Sequence, residues 1–119
     1  MGYYSEVAFV AKKKDWDKFV MEQKLKNSLS VLIVSKFWKH DGKFGIVDYD
    51  GEDYVVAMKH YCKWYEDSGD VGEFMNWLRS LDVYEYARAG EEAGDVEYEE
   101  NGDPPCWLGT HSSVTCEVF

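Results

Sequence analysis

Residues 44–65, FGIVDYDGEDYVVAMKHYCKWY, decide the fold that the sequence predicts. Asp50-Gly51 separates two segments rich in β-branched and aromatic residues, and glycine accepts the positive φ that a two-residue hairpin turn needs. We therefore expect a β-hairpin with strands at residues 44–49 and 54–65, preceded by a turn at residues 40–43. Alternation predicts that one face of the second strand carries Tyr54, Val56, Met58, His60, Cys62 and Trp64.

A strand and a helix are expected before this hairpin. Residues 3–11 alternate between two faces as a strand does. Asp15 then suits the N-cap of a helix, because apolar residues follow it at helical spacing: Trp16, Phe19, Val20 and Leu25. Residues 29–38 fit two structures. Their β-branched content slightly favours a buried strand, while the spacing of their apolar residues also fits a continuing helix.

The clearest helix signal follows the hairpin. Asp70, with Glu73 three residues later, resembles a capping box, and an apolar stripe follows at Val71, Phe74, Leu78 and Leu81. Further strands are expected at residues 83–89, 96–100 and 113–119. Together these elements predict a single α+β domain over residues 1–119, with about two helices packed on one face of an antiparallel sheet. A ferredoxin-like arrangement fits this element order best.

Charge is divided unevenly along the chain. Residues 1–63 contain 11 Lys and 9 acids, a net charge of +2, whereas residues 64–119 contain 2 Arg and 14 acids, a net charge of −12. Seven acids lie in residues 91–103, which we call the acidic segment: Glu91, Glu92, Asp95, Glu97, Glu99, Glu100 and Asp103. Nucleic-acid binding needs cations that neutralise phosphates, so this composition argues against direct nucleic-acid binding and for a partner with a basic surface.

The acidic segment is open to two interpretations. If residues 96–100 form a strand, Glu97 and Glu99 lie on one side about 6.6 Å apart, and Val96 and Tyr98 face the core. A row of carboxylates at this spacing can occupy a surface built for a phosphate backbone, as a nucleic-acid mimic does. The alternative is a solvated acidic surface that only maintains solubility.

A second candidate site lies near the C-terminus. Cys106, His111 and Cys116 have the spacing C-x4-H-x4-C, and Asp103 stands where a zinc knuckle would have a further cysteine. Carboxylate oxygen can ligate zinc, so these four residues form an alternative zinc site. The ligand set is atypical of structural zinc, and three cysteines without an export signal suit reduced thiols. We therefore expect no metal and no other cofactor.

Enzymatic and membrane signals are missing from the sequence. It contains no G-x-S-x-G, H-E-x-x-H, P-loop or G-x-G-x-x-G motif. His60 and Cys62, at positions i and i+2 of one strand face, would lie about 6.6 Å apart, beyond hydrogen-bond contact. Neither a signal peptide nor an apolar run of about 18 residues is apparent. We expect a non-enzymatic, cytoplasmic protein.

Three short pieces of the chain are similar to a known group of proteins. They are MGYYSEV at residues 1–7, KWYE at residues 63–66 and YEYARAGE at residues 84–91, together 19 of 119 residues. They resemble small proteins encoded by tailed bacteriophages and prophages, in which a Tyr-rich strand runs into an Arg-x-Gly-Glu segment followed by acids. Residues 29–54 and 104–116 depart from that group. The resemblance implies an early or accessory phage protein in bacterial cytoplasm and assigns no site residue.

This phage context sharpens the functional expectation. Small acidic phage proteins frequently look like inhibitors of host nucleases, polymerases, restriction enzymes or CRISPR effectors, whose basic channels attract carboxylates. We expect the acidic segment to bind and inhibit a host nucleic-acid-handling complex, most specifically as an anti-CRISPR-type inhibitor. The alternatives are a phage accessory or assembly protein without a host target, and the small zinc-binding protein.

Overall fold

The computed structural model contains the hairpin that residues 44–65 predict. It describes residues 3–26, 32, 35–67, 69–110 and 113–119. In chain order the elements are β1 (Tyr4–Lys12), α1 (Lys13–Leu25), α2 (Ser35–Lys39), β2 (Gly42–Tyr49), β3 (Glu52–Lys63), α3 (Gly69–Arg79), β4 (Tyr84–Gly90), β5 (Val96–Asn101), β6 (Leu108–Thr110) and β7 (Val114–Cys116). Asp50 and Gly51 form the turn with φ of 54° and 83°, so the predicted hairpin is confirmed.

Five strands of the described chain form one antiparallel sheet in the order β2-β3-β1-β4-β5. The central strand is β1, and the edges are β2 and β5. The predicted single α+β domain is confirmed. Both α1 and α2 lie in the connection between β1 and β2. If they are counted as one helical unit, the elements up to β4 follow the order β-α-β-β-α-β. This order supports a ferredoxin-like arrangement, which stays a prediction.

The helices cover one face of this sheet, which we call the helix face. Val7 and Phe9 of β1 pack there with Trp16 of α1, Trp38 of α2 and Phe74 of α3. The described chain therefore has three helices on this face, where about two were expected. None of its helices has the length and apolar character needed to cross a membrane.

The opposite face, the hairpin face, is covered by the C-terminal hairpin of β6 and β7. Leu108 and Val114 of this hairpin pack against Ala8 and Val10 of β1. The strand expected at residues 113–119 is shorter than predicted, because β7 ends at Cys116 and a turn follows. Its partner β6 was not predicted, since three residues are too short to show an alternating pattern.

Helix boundaries differ from the sequence expectations at three places. In α3, Asp70 was expected to cap the helix but lies in its first turn, because the helix begins at Gly69. Asp15 is not the N-cap of α1: Lys12 takes that position with extended φ and ψ, and Asp15 lies in the first turn, where the helix dipole favours a carboxylate. In residues 29–38, the slightly preferred strand is wrong for the part in α2. There the buried Trp38 indole donates a hydrogen bond to the Leu32 carbonyl at 3.0 Å, which fixes the chain beneath the sheet. Residues 29–31, 33 and 34 lie outside the described residues.

A β-bulge interrupts the pairing of β1 with β3. Two residues of β3, His60 and Tyr61, lie opposite the single residue Glu6. The extra residue reverses the alternation of β3 beyond this point. Cys62 and Trp64 therefore belong to the core on the helix face, and not to the face of Tyr54, Val56 and Met58 as alternation predicted.

Candidate functional site

The acidic segment lies along one edge of the sheet, because β5 pairs with β4 and with no other strand in the described part of the chain. Glu97 lies opposite Arg88 and Glu99 opposite Tyr86, so both carboxylates are on the helix face, on one side of the strand as predicted. Val96 and Tyr98 are 38% and 40% exposed, so their predicted place in the core is wrong. An edge strand has a neighbouring strand on one side only, which leaves its other side open to water.

Arg88 pairs with two carboxylates of the acidic segment. Its guanidinium donates to Asp95 Oδ1 at 2.6 Å and to Glu97 Oε2 at 3.3 Å, and its side chain is only 11% exposed. Tyr3 also donates its hydroxyl to Asp95, at 2.6 Å. Hydrogen bonds from Arg88 and then Tyr3 hold the pKa of Asp95 below its usual value. These contacts fix the chain that leads into β5.

Arg79, the last residue of α3, pairs with a third carboxylate. Its Nε and Nη2 donate to the two oxygens of Glu99 at 3.0 and 2.7 Å, a bidentate geometry, and its Nη1 donates to Glu66 at 2.7 Å. The Tyr84 hydroxyl adds a hydrogen bond to Glu99 at 3.1 Å. The Arg79 contact lowers the pKa of Glu99. Both arginines of the chain are thus held by carboxylates of its own acidic half.

The other four predicted binding residues, Glu91, Glu92, Glu100 and Asp103, are exposed. In the described residues, no Lys, Arg or His nitrogen lies within 4 Å of their carboxylates. We call these four residues the acidic edge. The seven acids therefore form two sets: three are neutralised by arginine within the chain, and four present their charge to solvent.

The lysines lie elsewhere in the fold. All 11 belong to residues 1–63, and they are carried by β1, α1, α2, β2, β3 and the turn after α1. In the sheet, β2 and β3 stand at the end opposite β5. This placement does not give the sheet a basic end, because residues 42–63, which form β2 and β3, contain four acids and three lysines. What the fold separates from the lysines is the acidic edge, at the side of the sheet formed by β5.

A buried carboxylate lies on the hairpin face beside this edge. Glu85 of β4 is 0% exposed and accepts hydrogen bonds from the backbone N–H groups of Trp107 and Leu108, at 3.0 and 3.2 Å, and from the Tyr98 hydroxyl. Burial raises the pKa of Glu85, although these donors act in the opposite direction. Glu85 therefore anchors the start of the C-terminal hairpin to the sheet. Sequence reasoning did not single it out.

The structure groups Cys106 differently from the predicted zinc site. Ligand atoms of Glu85, Glu100 and Cys106 all lie within 4.8 Å of one another, and the Cys106 thiol is 3.2 Å from Glu100 Oε2. Neither Asp103 nor Cys116 belongs to this group, and His111 lies outside the described residues. The carboxylate of Glu100 raises the pKa of the Cys106 thiol, which disfavours the thiolate that would bind a metal. The predicted absence of a metal stays a prediction.

His60 and Cys62 do not form a catalytic pair with each other. The bulge leaves His60 at the surface, with its Nδ1 3.3 Å from Glu6 Oε2. Cys62 is 7% exposed in the core on the other face, and burial raises the pKa of its thiol. The expectation that they share one face was wrong, because the alternation of β3 changes between them.

Comparison with known proteins gives no relative: no protein-family model matches this chain, and neither a curated protein nor a solved structure matches it. The resemblance to phage proteins therefore rests on the three pieces of sequence quoted above.

Proposed function

We propose that this protein binds a basic, nucleic-acid-handling surface of a bacterial host protein and blocks it with its acidic edge. The observation that carries the proposal is a set of exposed carboxylates at one edge of the sheet. Four exposed carboxylates lie in β5 or in the loops at its two ends, and among the described residues no Lys, Arg or His nitrogen lies within 4 Å of them. A field of one sign steers a partner of opposite sign and orients it on contact.

The paired carboxylates support this role in another way. Arg88 and Arg79 tie Asp95, Glu97 and Glu99 to β4 and α3, so β5 is held in place before any partner arrives. A binding surface that is already ordered loses less conformational entropy on association than a mobile acidic loop does. The same pairs leave no arginine at the edge free for a phosphate, which argues against nucleic acid as the ligand there.

The phage resemblance gives the proposal its most specific form. An anti-CRISPR-type inhibitor, acting in bacterial cytoplasm on a nucleoprotein complex with a basic channel, needs a folded acidic surface and no catalytic group. The exposed acids at either end of β5 are consistent with a surface that replaces part of a phosphate backbone, whereas Glu97 and Glu99 are already paired with arginine and do not contribute free charge. No enzymatic activity and no cofactor are part of this proposal.

The test is capture of the host partner with matched charge variants. The edge variant carries E92Q, E100Q and D103N, and the control variant carries D17N, E22Q and D53N, three exposed acids on α1 and β3. Both variants lose three negative charges. Tagged proteins would be incubated with lysate of a host that has defence systems, at low and high salt, and bound proteins identified by mass spectrometry.

We expect wild type and the control variant to recover the same nucleic-acid-binding complex, and the edge variant to lose it at physiological salt. Binding should weaken with salt, because exposed charges are screened beyond about 8 Å at 0.15 M ionic strength. Equal recovery by edge and control variants would overturn the proposal. Recovery of no host complex would also overturn it and would favour an accessory phage protein whose charge maintains solubility.

A further inference from the structure

A groove of about 340 Å³ opens beside the β-bulge, next to the start of the acidic segment. Its walls include Tyr4, Glu6, His60, Tyr61 and Glu91. The bulge creates it: two residues of β3 opposite one residue of β1 push His60 and Tyr61 outward at the sheet surface.

Two tyrosine rings form the apolar part of the groove. Tyr61 is 70% exposed and Tyr4 is 40% exposed, and their ring centroids lie 6.4 Å apart at an angle of 79°. The Lys63 ammonium lies 5.8 Å from the centroid of the Tyr4 ring. That ring therefore already attracts a cation of the chain itself, as the negative face of an aromatic ring does.

Two carboxylates form the polar part, and backbone groups hold both in position. Glu6 Oε1 accepts a hydrogen bond from the Val114 N–H at 3.0 Å, and Glu91 Oε1 accepts one from the Tyr4 N–H at 2.6 Å. Among the described residues that line the groove there is no Lys or Arg. His60 faces Glu6 Oε2, so the second oxygen of Glu91 is the better placed acceptor for an incoming donor.

We propose that this groove binds an arginine side chain of the partner protein, a proposal that rests on the function proposed above. A guanidinium is planar, so it can stack on a tyrosine ring while its N–H groups bond a carboxylate side by side. A lysine ammonium offers a point charge without a flat face. A phosphate would meet two carboxylates, and an apolar ligand would bury them without partners.

The groove lies where such a contact would add most to recognition. Glu91 is a member of the acidic edge, so a partner drawn to that edge brings its basic residues to the mouth of the groove. Interface anchors are commonly Arg, Trp or Tyr side chains in pockets. The exposed acids would then attract the partner over a distance, and the groove would bind an arginine of the partner in preference to a lysine.

The direct test is titration of the isolated protein with two capped tripeptides, Ac-Gly-Arg-Gly-NH2 and Ac-Gly-Lys-Gly-NH2, followed by 1H–15N NMR. We expect the arginine peptide to give saturable shifts at the amides of Tyr4, Glu6, Tyr61 and Glu91, with a millimolar Kd. The lysine peptide should bind more weakly. Absence of saturable shifts, or equal affinity for the two peptides, would overturn the proposal.

Three variants test whether the arginine side chain binds in this groove. The affinity for the arginine peptide should fall about fivefold in each of two variants. Tyr61→Ala removes a ring on which the guanidinium stacks, and Glu91→Gln removes the charged acceptor. Glu92→Gln is the matched control, because it removes the same charge at the next residue without lining the groove. A loss of affinity in Glu92→Gln equal to that in Glu91→Gln would show a diffuse field and overturn the site. Unchanged amide spectra outside the groove verify that each variant is folded.

The two proposals fail separately. If the captured host complex is lost from the edge variant but retained by Tyr61→Ala and Glu91→Gln, the groove does not hold a partner arginine and the proposed function stands. If wild type captures no host complex while the arginine peptide still binds with the expected selectivity, the proposed function fails and the arginine site stands. Loss of the complex from both groove variants, with retention by the control variant that carries D17N, E22Q and D53N, supports both proposals.

Discussion

The two faces of the β4–β5 pair hold carboxylates in opposite ways. On the helix face, Asp95 and Glu99 are bonded to Arg88 and Arg79, and these contacts lower their pKa values. On the hairpin face, Glu85 is buried among neutral donors and forms no ion pair with any residue that the structure describes, and burial raises its pKa. The same pair of strands thus stabilises the ionised form of some carboxylates and disfavours the ionised form of another.

This difference shows which charges of the acidic half are structural. The carboxylates bonded to arginine hold β5 against β4 and α3, and Glu85 holds the C-terminal hairpin on the sheet. The four residues of the acidic edge contribute less to the fold, because they are exposed and unpaired with cations in the described chain, although Glu91 and Glu100 accept hydrogen bonds from the Tyr4 N–H and the Tyr98 hydroxyl. Substitutions in the three sets should therefore separate stability from partner binding.

The largest effect is expected at Glu85. Glu85→Ala removes the acceptor of the Trp107 and Leu108 N–H groups, and backbone donors left without a partner should lower the free energy of unfolding by about 3 kcal/mol, whereas the Tyr98 hydroxyl keeps its bond to Glu100. Glu85→Gln keeps an acceptor oxygen and should cost about 1 kcal/mol. Urea denaturation measures both variants. Equal losses in the two would show that Glu85 does not act through these hydrogen bonds.

A smaller effect should distinguish the two arginines. Arg88→Met leaves two carboxylates without their cation at a side chain that is 11% exposed, and we expect a loss of about 2 kcal/mol. Arg79 is 38% exposed, so water replaces its bonds, and Arg79→Met should cost about 0.5 kcal/mol. Thermal or urea unfolding of the two variants measures which substitution causes the larger loss of stability. A larger loss in Arg79→Met would contradict the role given to burial.

The sequence predicted well the elements whose signals are local. The Asp50-Gly51 turn is specified by residues that accept a positive φ at those two positions. The apolar stripe of α3, Val71, Phe74 and Leu78, lies within three turns of helix. The placement of Glu97 and Glu99 on one side of β5 followed from strand geometry alone. In each case the residues that decide the structure are neighbours in the chain.

The features that sequence reasoning missed depend on distant residues. The β-bulge at His60 exists only relative to β1, more than 50 residues earlier, so alternation within β3 could not reveal it. Glu85 stands between two tyrosines of an alternating strand and looks solvated until the hairpin that contains Leu108 covers it. Charge counting also could not show how many acids of the acidic segment are paired with arginine. Three of the seven are paired, Asp95, Glu97 and Glu99, so four present their charge to solvent.

The smallest expected effect is the pH dependence of stability in two isosteric variants, Asp95→Asn and Glu85→Gln. It is also the most direct test of the difference between the two faces. Because the folded-state pKa of Asp95 lies below its usual value of 3.8, its contribution to stability is present above that value and is lost as pH falls through the folded pKa. Asp95→Asn should therefore be less stable than wild type at pH 7, and the difference should shrink towards pH 2.

Glu85 should show the opposite sign. Its folded-state pKa lies above the usual 4.5, so its contribution is present below pH 4.5 and is lost as pH rises through the folded pKa. The deficit of Glu85→Gln relative to wild type should therefore be largest near pH 4 and should shrink as pH rises towards 7. Urea midpoints measured for both variants from pH 2 to pH 7 test this, and slopes of the same sign would break the contrast between the two faces. Opposite slopes would show that arginine pairing governs one carboxylate and burial the other, because both substitutions replace a carboxylate by an amide of the same shape.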